Sequence, residues 1–243
     1  GAPGSAREET VFIGANDGML HAFDARTGDE HFAFIPAGVH ENLHELADPG
    51  YTHRFFVDGQ ITVADARIGS SPQPWRTVLV GGLGAGGRSI YALDVTTPQS
   101  FTEADVLWEF THPELGFTYG EPIVTRLENG TWVAVFGNGY NSINNQAVLF
   151  VVDLKTGTLL HKTELGATGG NGLSGLAGWR DVGTRTFLSR IYAGDLNGTM
   201  WRVDFNGSTP DVKYTGGLFT EPLARPITAT PNLAAHPDGG VAV

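Results

Sequence analysis

Cysteine is absent from the 243 residues. That excludes disulfides, thiolate metal sites and cysteine nucleophiles together. Charge is sparse at 17%, and Lys+Arg 15 against Asp+Glu 26 leaves a net charge of −11 with a pI of 5.0. An acidic chain without a basic patch excludes nucleic acid as a partner class. No run approaches the roughly 18 apolar residues of a membrane helix, so the sequence contains no membrane span. No signal peptide is visible either. The opening Gly1-Ala2-Pro3-Gly4-Ser5 reads as the start of a linker or expression remnant over residues 1–9, which leaves room for a targeting segment upstream.

What the chain has in excess is glycine, 34 residues, with 13 prolines and no collagen-like period. Those glycines punctuate a repeat. Val11-Phe12-Ile13 leads through Asn16-Asp17-Gly18 to an alternating run ending at Asp24, and Thr27-Gly28 then turns the chain. Asp-Gly between apolar runs is a hairpin signal, because glycine supplies the positive φ of tight turns. The same grammar returns around Val78–Asp94, Val133–Asp153 and Ile191–Asp204. Asp24, Asp94, Asp153 and Asp204 close equivalent runs, at spacings that fit repeats of about 40–50 residues with insertions.

A further extended piece separates the units, at residues 60–64, 121–127, 173–179 and 227–233. Four strands per unit with few helical patterns predict an all-β chain of four-stranded β-propeller blades. A β-sandwich does not predict the recurring Gly…Asp skeleton. The domain is expected to span residues 10–243 as about four blades. The first unit lacks its inner strand and the chain stops one strand into a new unit, so a fragment or part of a larger modified propeller is expected.

His40-Glu41-Asn42-Leu43-His44 is a literal H-E-x-x-H. On an α-helix that spacing sets two imidazoles on one face for zinc, with the glutamate placed to activate water. Gly38 and Pro49 limit the segment, and His53 fits no usual third-ligand spacing. A short inter-blade excursion with solvated histidines is the expected reading, against a zinc peptidase as the alternative. Gly82-Leu83-Gly84-Ala85-Gly86-Gly87 satisfies G-x-G-x-x-G, but a strand follows it where a dinucleotide site needs a helix. The Asn138-Gly139-Tyr140-Asn141-Ser142-Ile143-Asn144-Asn145 run offers carbonyl oxygens without a carboxylate and reads as a turn. No nucleophile constellation is present, so no catalytic residue is assigned.

Several runs resemble the PilY/PilC family of type IV pilus tip-associated proteins. They are Gly14-Ala15-Asn16-Asp17-Gly18-Met19-Leu20-His21-Ala22-Phe23-Asp24, Tyr119-Gly120-Glu121-Pro122, Phe136-Gly137-Asn138-Gly139-Tyr140-Asn141-Ser142 and Tyr192-Ala193-Gly194-Asp195-Leu196-Asn197-Gly198. The stretch from Tyr51-Thr52-His53-Arg54 to Val57-Asp58-Gly59 joins them, and the likeness is to the family's C-terminal propeller. It implies an exported, non-enzymatic protein of the pilus tip, outer membrane or cell surface. It also implies adhesion to host or abiotic surfaces, assembly with minor pilins or other pilus-tip proteins, and control of extension and retraction (twitching motility).

The family often carries a calcium loop before the Tyr-Ala-Gly-Asp run. Here the matching positions hold Asp181, Gly183, Arg185 and Ser189, so only Asp181 retains a carboxylate and no metal or other cofactor is expected. Ala22-Phe23-Asp24-Ala25-Arg26-Thr27-Gly28 also resembles quinoprotein blade repeats. A quinoprotein-like propeller dehydrogenase is therefore an alternative, although the vicinal cysteines such enzymes commonly use are missing. An envelope assembly scaffold is the third. Binding is expected through loops on one face, chiefly residues 39–53 and 100–117.

Overall fold

The computed structural model describes residues 8–166, 168–181, 187–217, 225–237 and 239–243. Of the expected linker, only Glu8 and Glu9 fall among them. Blade 1 is a three-stranded antiparallel meander of β1 (Thr10–Gly14), β2 (Leu20–Asp24) and β3 (Glu30–Phe34). Blade 2 has four strands, β4 (Ile61–Arg67), β5 (Trp75–Gly82), β6 (Ile90–Asp94) and β7 (Val106–Phe110). Blade 3 follows with β8 (Ile123–Arg126), β9 (Trp132–Gly137), β10 (Ala147–Asp153) and β11 (Leu159–Leu165). Blade 4 comprises β12 (Leu173–Trp179), β13 (Arg190–Asp195), β14 (Thr199–Asn206) and β15 (Thr209–Gly217), and a short pair, β16 (Ala234–Ala235) with β17 (Val241–Ala242), ends the described chain.

The four aspartates occupy one register. Asp24 lies opposite Thr10, Asp94 opposite Val78, Asp153 opposite Val133 and Asp204 opposite Arg190. Three of them do the same job. Asp24 Oδ1 accepts from the Arg26 and Thr27 amides at 2.7 and 2.9 Å, Asp153 Oδ1 from Lys155 and Thr156 at 3.0 and 2.9 Å, and Asp94 Oδ1 from Thr96 at 3.0 Å. Such short side-chain bonds to the backbone favour turns over continued strand. At Asp204 the hairpin runs on to Asn206, and the carboxylate instead takes two bonds from the Arg202 guanidinium, at 2.7 and 2.6 Å.

Each blade also carries a bulge opposite the same place, after Ala22, Ala92, Val151 and Arg202. A glycine recurs at the end of the second strand because the next blade's entry segment crosses there. A Cβ on Gly137 would collide with the Leu173 carbonyl oxygen, as one on the equivalent Gly14 would with that of Val57. Backbone bonds stitch these crossings, Val57 N to Ala15 O (3.3 Å), Gly84 N to Thr118 O (3.2 Å), Gly139 N to Leu173 O (2.7 Å) and Ile227 N to Asp195 O (2.9 Å).

Apolar side chains point both ways from the middle sheets. Val78, Val80, Ala134, Phe136, Val148 and Phe150 fill the space between blades 2 and 3. Val133, Val135, Leu149, Val151, Ile191 and Val203 fill that between blades 3 and 4. Leu20, Phe56, Leu79, Tyr91 and Leu93 pack blade 1 on blade 2.

Two expectations need correction. Residues 100–117 are not one loop, since β7 runs through them from Val106 to Phe110, and antiparallel order sends the two ends to opposite faces of the sheets. Residues 227–233 form no strand, because no strand is paired beside them to take their backbone groups.

Candidate functional site

In each four-stranded blade, the turn between the second and third strands and the exit toward the next blade share one face. The first and third turns share the other. The first face therefore carries residues 35–60, 111–122, 138–146 and 195–198. The second carries residues 68–74, 95–105, 127–131 and the expected calcium loop.

His40, Glu41 and His44 lie on the first face, in the 3₁₀ segment Ala37–Ala47. All three are exposed. With three residues per turn, positions four apart diverge by about 120° around the axis, so the two imidazoles do not share a face. Among the described residues they join no group of three ligand atoms within metal-binding range. The segment is pinned by Val39, which is fully buried, and by Leu43, which packs where a side chain at Gly18 would stand. The glycine-rich run Gly82 to Gly87 is the connection between β5 and β6, with the Leu83 amide donating to Thr118 Oγ1 at 2.8 Å. No helix opens there.

Of the calcium-loop positions, Gly183 and Arg185 lie outside the described residues. Asp181 pairs with Arg190, its carboxylate 3.2 Å from the guanidinium, and Ser189 Oγ donates to the Trp179 carbonyl at 3.0 Å. One carboxylate already shared with a guanidinium is a poor start for a hard cation that wants six or more oxygens.

The 138–145 run is more than a turn. Asn138 is fully buried and satisfied on both ends. Its Nδ2 donates to the Glu114 and Gln146 carbonyls at 3.0 and 2.7 Å, while its Oδ1 accepts from the Val148 and Leu173 amides at 3.0 and 3.2 Å. It thereby ties the exit of blade 2 to blades 3 and 4. Asp195 plays a similar part in blade 4, accepting from Trp201 Nε1 (2.8 Å), Asn171 Nδ2 (3.0 Å) and the Asn197 and Thr199 amides. Both are saturated with partners, which makes them structural groups. Glu114, almost buried, is held below the usual carboxylate range first by Lys162 and then by Asn144. Spacing could not single out these residues, because their partners lie up to 48 positions away.

An open cleft of about 540 Å³ runs along the inner strands β8 and β12, lined by Thr62, Glu121, Ile123, Thr125, Trp179 and Arg180. Thr62 Oγ1 donates to the Pro122 carbonyl at 2.6 Å and lies 3.2 Å from Glu121 Oε1. The more distinctive feature of the first face is apolar. Leu46, Tyr51 and Phe55 are 38%, 38% and 43% exposed on the insert between β3 and β4. Tyr51 is held by the Arg54 amide, which donates to its hydroxyl at 3.0 Å, and His53 meets the Phe55 ring edge-on. Exposed apolar side chains presented by one inter-blade insert offer a protein-binding surface.

Comparison with known proteins agrees with this architecture. Residues 3–238 match the PilY1 beta-propeller domain family. The chain is 45% identical over 231 residues to a Xylella fastidiosa type IV pilus biogenesis factor, a PilY1 homolog, covering 88% of this chain and 15% of that protein. The crystal structure of the Pseudomonas aeruginosa PilY1 C-terminal domain superposes with a TM-score of 0.79 at 38% identity, over 96% of this chain and 50% of that domain. A Comamonas testosteroni quinohemoprotein alcohol dehydrogenase shares the fold alone, at 14% identity and a TM-score of 0.54, over 86% of this chain and 33% of that one. The chain belongs to the PilY1 β-propeller family.

Proposed function

We propose that this chain is a non-enzymatic binding segment of a type IV pilus biogenesis factor, exported to the cell surface and acting at the pilus tip or outer membrane. The observation that carries the reading is the seated apolar insert, Leu46, Tyr51 and Phe55, on the face shared by the inter-blade crossings. A minor pilin or another pilus-tip protein is the partner, and adhesion to a host or abiotic surface uses the same face. Contact there couples the propeller to pilus extension and retraction. Relatives named as pilus biogenesis factors support this. Among the described residues no helix is long and apolar enough to cross a membrane.

The test replaces Leu46, Tyr51 and Phe55 together by serine in the full-length protein. Co-purification with minor pilins and twitching motility are expected to fall while circular dichroism stays unchanged. Undiminished co-purification would move the interface elsewhere.

The loop beginning at Asp181 works without calcium in this reading, the Asp181–Arg190 pair holding it in place of an ion. Calorimetric titration is expected to show no micromolar Ca²⁺ site. One abolished by Asp181→Ala would reverse that assignment.

A further inference from the structure

The four blades are internal controls for one another, and one position breaks the pattern. The carbonyl of Glu9 accepts from the Ala25 amide just as Thr77 does from Val95, Trp132 from Leu154 and Ser189 from Phe205. Glu8 is therefore the register equivalent of Arg76, Thr131 and Leu188. In blade 2, Arg76 pairs with Asp94 at 3.4 Å, and in blade 4 the matching Asp204 is met by Arg202. In blade 1 the place of the guanidinium is taken by a second carboxylate. The bulge residue of the outer strand differs as well. It is His31 in blade 1 against Leu107, Leu160 and Lys213 in the others.

These substitutions converge. One ligand atom each from Glu8, Asp24 and His31 lies within 4.8 Å of the other two. Asp24 is only 8% exposed, and its Oδ1 accepts from the backbone amides of Arg26 and Thr27, which fixes the carboxylate in place. His31 Nε2 is buried and has no hydrogen-bond partner among the described residues, which is costly unless something is missing from the picture. Glu8 is oriented by Gln99, whose Nε2 donates to Oε2 at 2.8 Å. A recess of about 240 Å³ between blades 1 and 2 is lined by Glu8 but not by Asp24 or His31. Nearby, Arg26 contributes positive charge toward Asp24, but its backbone amide, not its guanidinium, makes the bond.

The geometry points to a divalent transition-metal site formed by Glu8, Asp24 and His31, in which the ion stands where blade 2 has the Arg76 guanidinium. An imidazole nitrogen with two carboxylates suits Zn²⁺-type ions and disfavours Ca²⁺, whose ligands are all oxygen. Ligand distances of about 2.1 Å set donor atoms roughly 3–3.5 Å apart, a closure that the exposed Glu8 can supply. The fourth position is left to water or to a group from a neighbouring molecule. The site lies between blades 1 and 2 on the face opposite His40 and His44, and it is independent of the pilus reading.

Zn²⁺ titration of the purified chain by calorimetry, repeated with Co²⁺ and read by its visible absorption, tests this. One ion per chain is expected, with affinity falling at least tenfold in His31→Gln and in Glu8→Gln. The second variant changes an exposed side chain and leaves the fold intact. The double variant His40→Gln/His44→Gln should bind as the parent does. Absence of binding at micromolar metal, or binding that survives both His31→Gln and Glu8→Gln, would overturn the assignment, as would loss confined to the His40/His44 variant.

Discussion

Blades 1 and 3 place different residues at the same register and meet different fates. Ile13 is the equivalent of Phe136, and His21 of Phe150. Phe136 and Phe150 are 1% and 0% exposed because blade 2 stands against them. Ile13 is 53% exposed and Val11 49%, since among the described residues no sheet covers that side of blade 1. The backbone plan is common to both, with the same ladder, the same bulge and the same turn aspartate. Burial in this fold is thus conferred by stacking, and one strand pattern serves as core or surface according to its neighbour. Blade 1 answers with polarity where it can. His21 replaces the ring with an imidazole bound by Glu30 at 2.6 Å and Asp17 at 2.9 Å.

The sharpest way to break the comparison is to truncate the covered side. Phe136 meets Phe110 at 5.6 Å and Phe150 at 5.8 Å between ring centroids. Phe136→Ala empties a site that the flanking sheets cannot close, and should cost about 3–5 kcal/mol. Urea denaturation reads it. A loss below about 1 kcal/mol would mean that blades 2 and 3 are not packed as described.

Next in size is Lys162→Met, which strips the main partner from Glu114 and leaves Asn144 (2.8 Å) to hold a nearly buried carboxylate. About 1–2 kcal/mol should be lost at neutral pH, discounted because Lys162 is partly solvated. The sign with pH follows from the shifts. Glu114 is depressed from 4.5, so the pair's contribution is present above that value and fades as pH falls through the folded pKa. Lys162 is raised from 10.5 by Glu114 and Glu164, so the contribution outlasts that value and fades as pH rises through its own folded pKa. Parent and variant curves should converge at both extremes. Parallel curves would assign the loss to packing.

Much of this was legible in the sequence because it is written locally. Asp24-Ala25-Arg26-Thr27-Gly28 contains its whole turn, with Gly28 at φ 78° and its amide on the Asp24 carbonyl. Asp204 fits the register but not the role, because Asn206-Gly207 moves the turn two residues on, and arginines that no turn rule anticipates claim the carboxylate. H-E-x-x-H misleads because its meaning assumes 3.6 residues per turn, and Ala37–Ala47 winds at three. The Val106–Phe110 strand was hidden behind two successive 3₁₀ turns, at Pro98–Ser100 and Glu103–Asp105. Glu8, Asp24 and His31 sit on three segments, and only the pairing of β1 with β2 and the bulge in β3 bring them together.

On the open side, His21 offers a smaller effect of opposite pH sense. The hydrogen bond that His21 donates to Glu30, aided by Asp17 against partial burial, raises His21 above its usual 6.5. A raised histidine adds stability below its unfolded value, and that contribution is lost as pH climbs through the folded pKa. NMR titration should find His21 above 6.5, returning toward it in Glu30→Gln. A value at or below 6.5 in the parent would show that the carboxylates do not hold the ring.

The smallest expected effect is the most pointed. Ile13→Ser removes an apolar side chain from the position that holds Phe136 in blade 3. If strand identity set the energetics, the cost would resemble a core truncation. If stacking sets it, about half of the Ile13 side chain is in water already and only the rest of its burial is forfeited. Serine loses some β propensity on an edge strand, a term that context keeps below about 1 kcal/mol. The change should stay at about 1 kcal/mol, with Val11→Ser alike. Calorimetric melting of this chain resolves the two cases, because the alternative exceeds 2 kcal/mol. A drop of that size would mean that the outer side of blade 1 is covered in solution, by a second copy or by a segment outside the described residues.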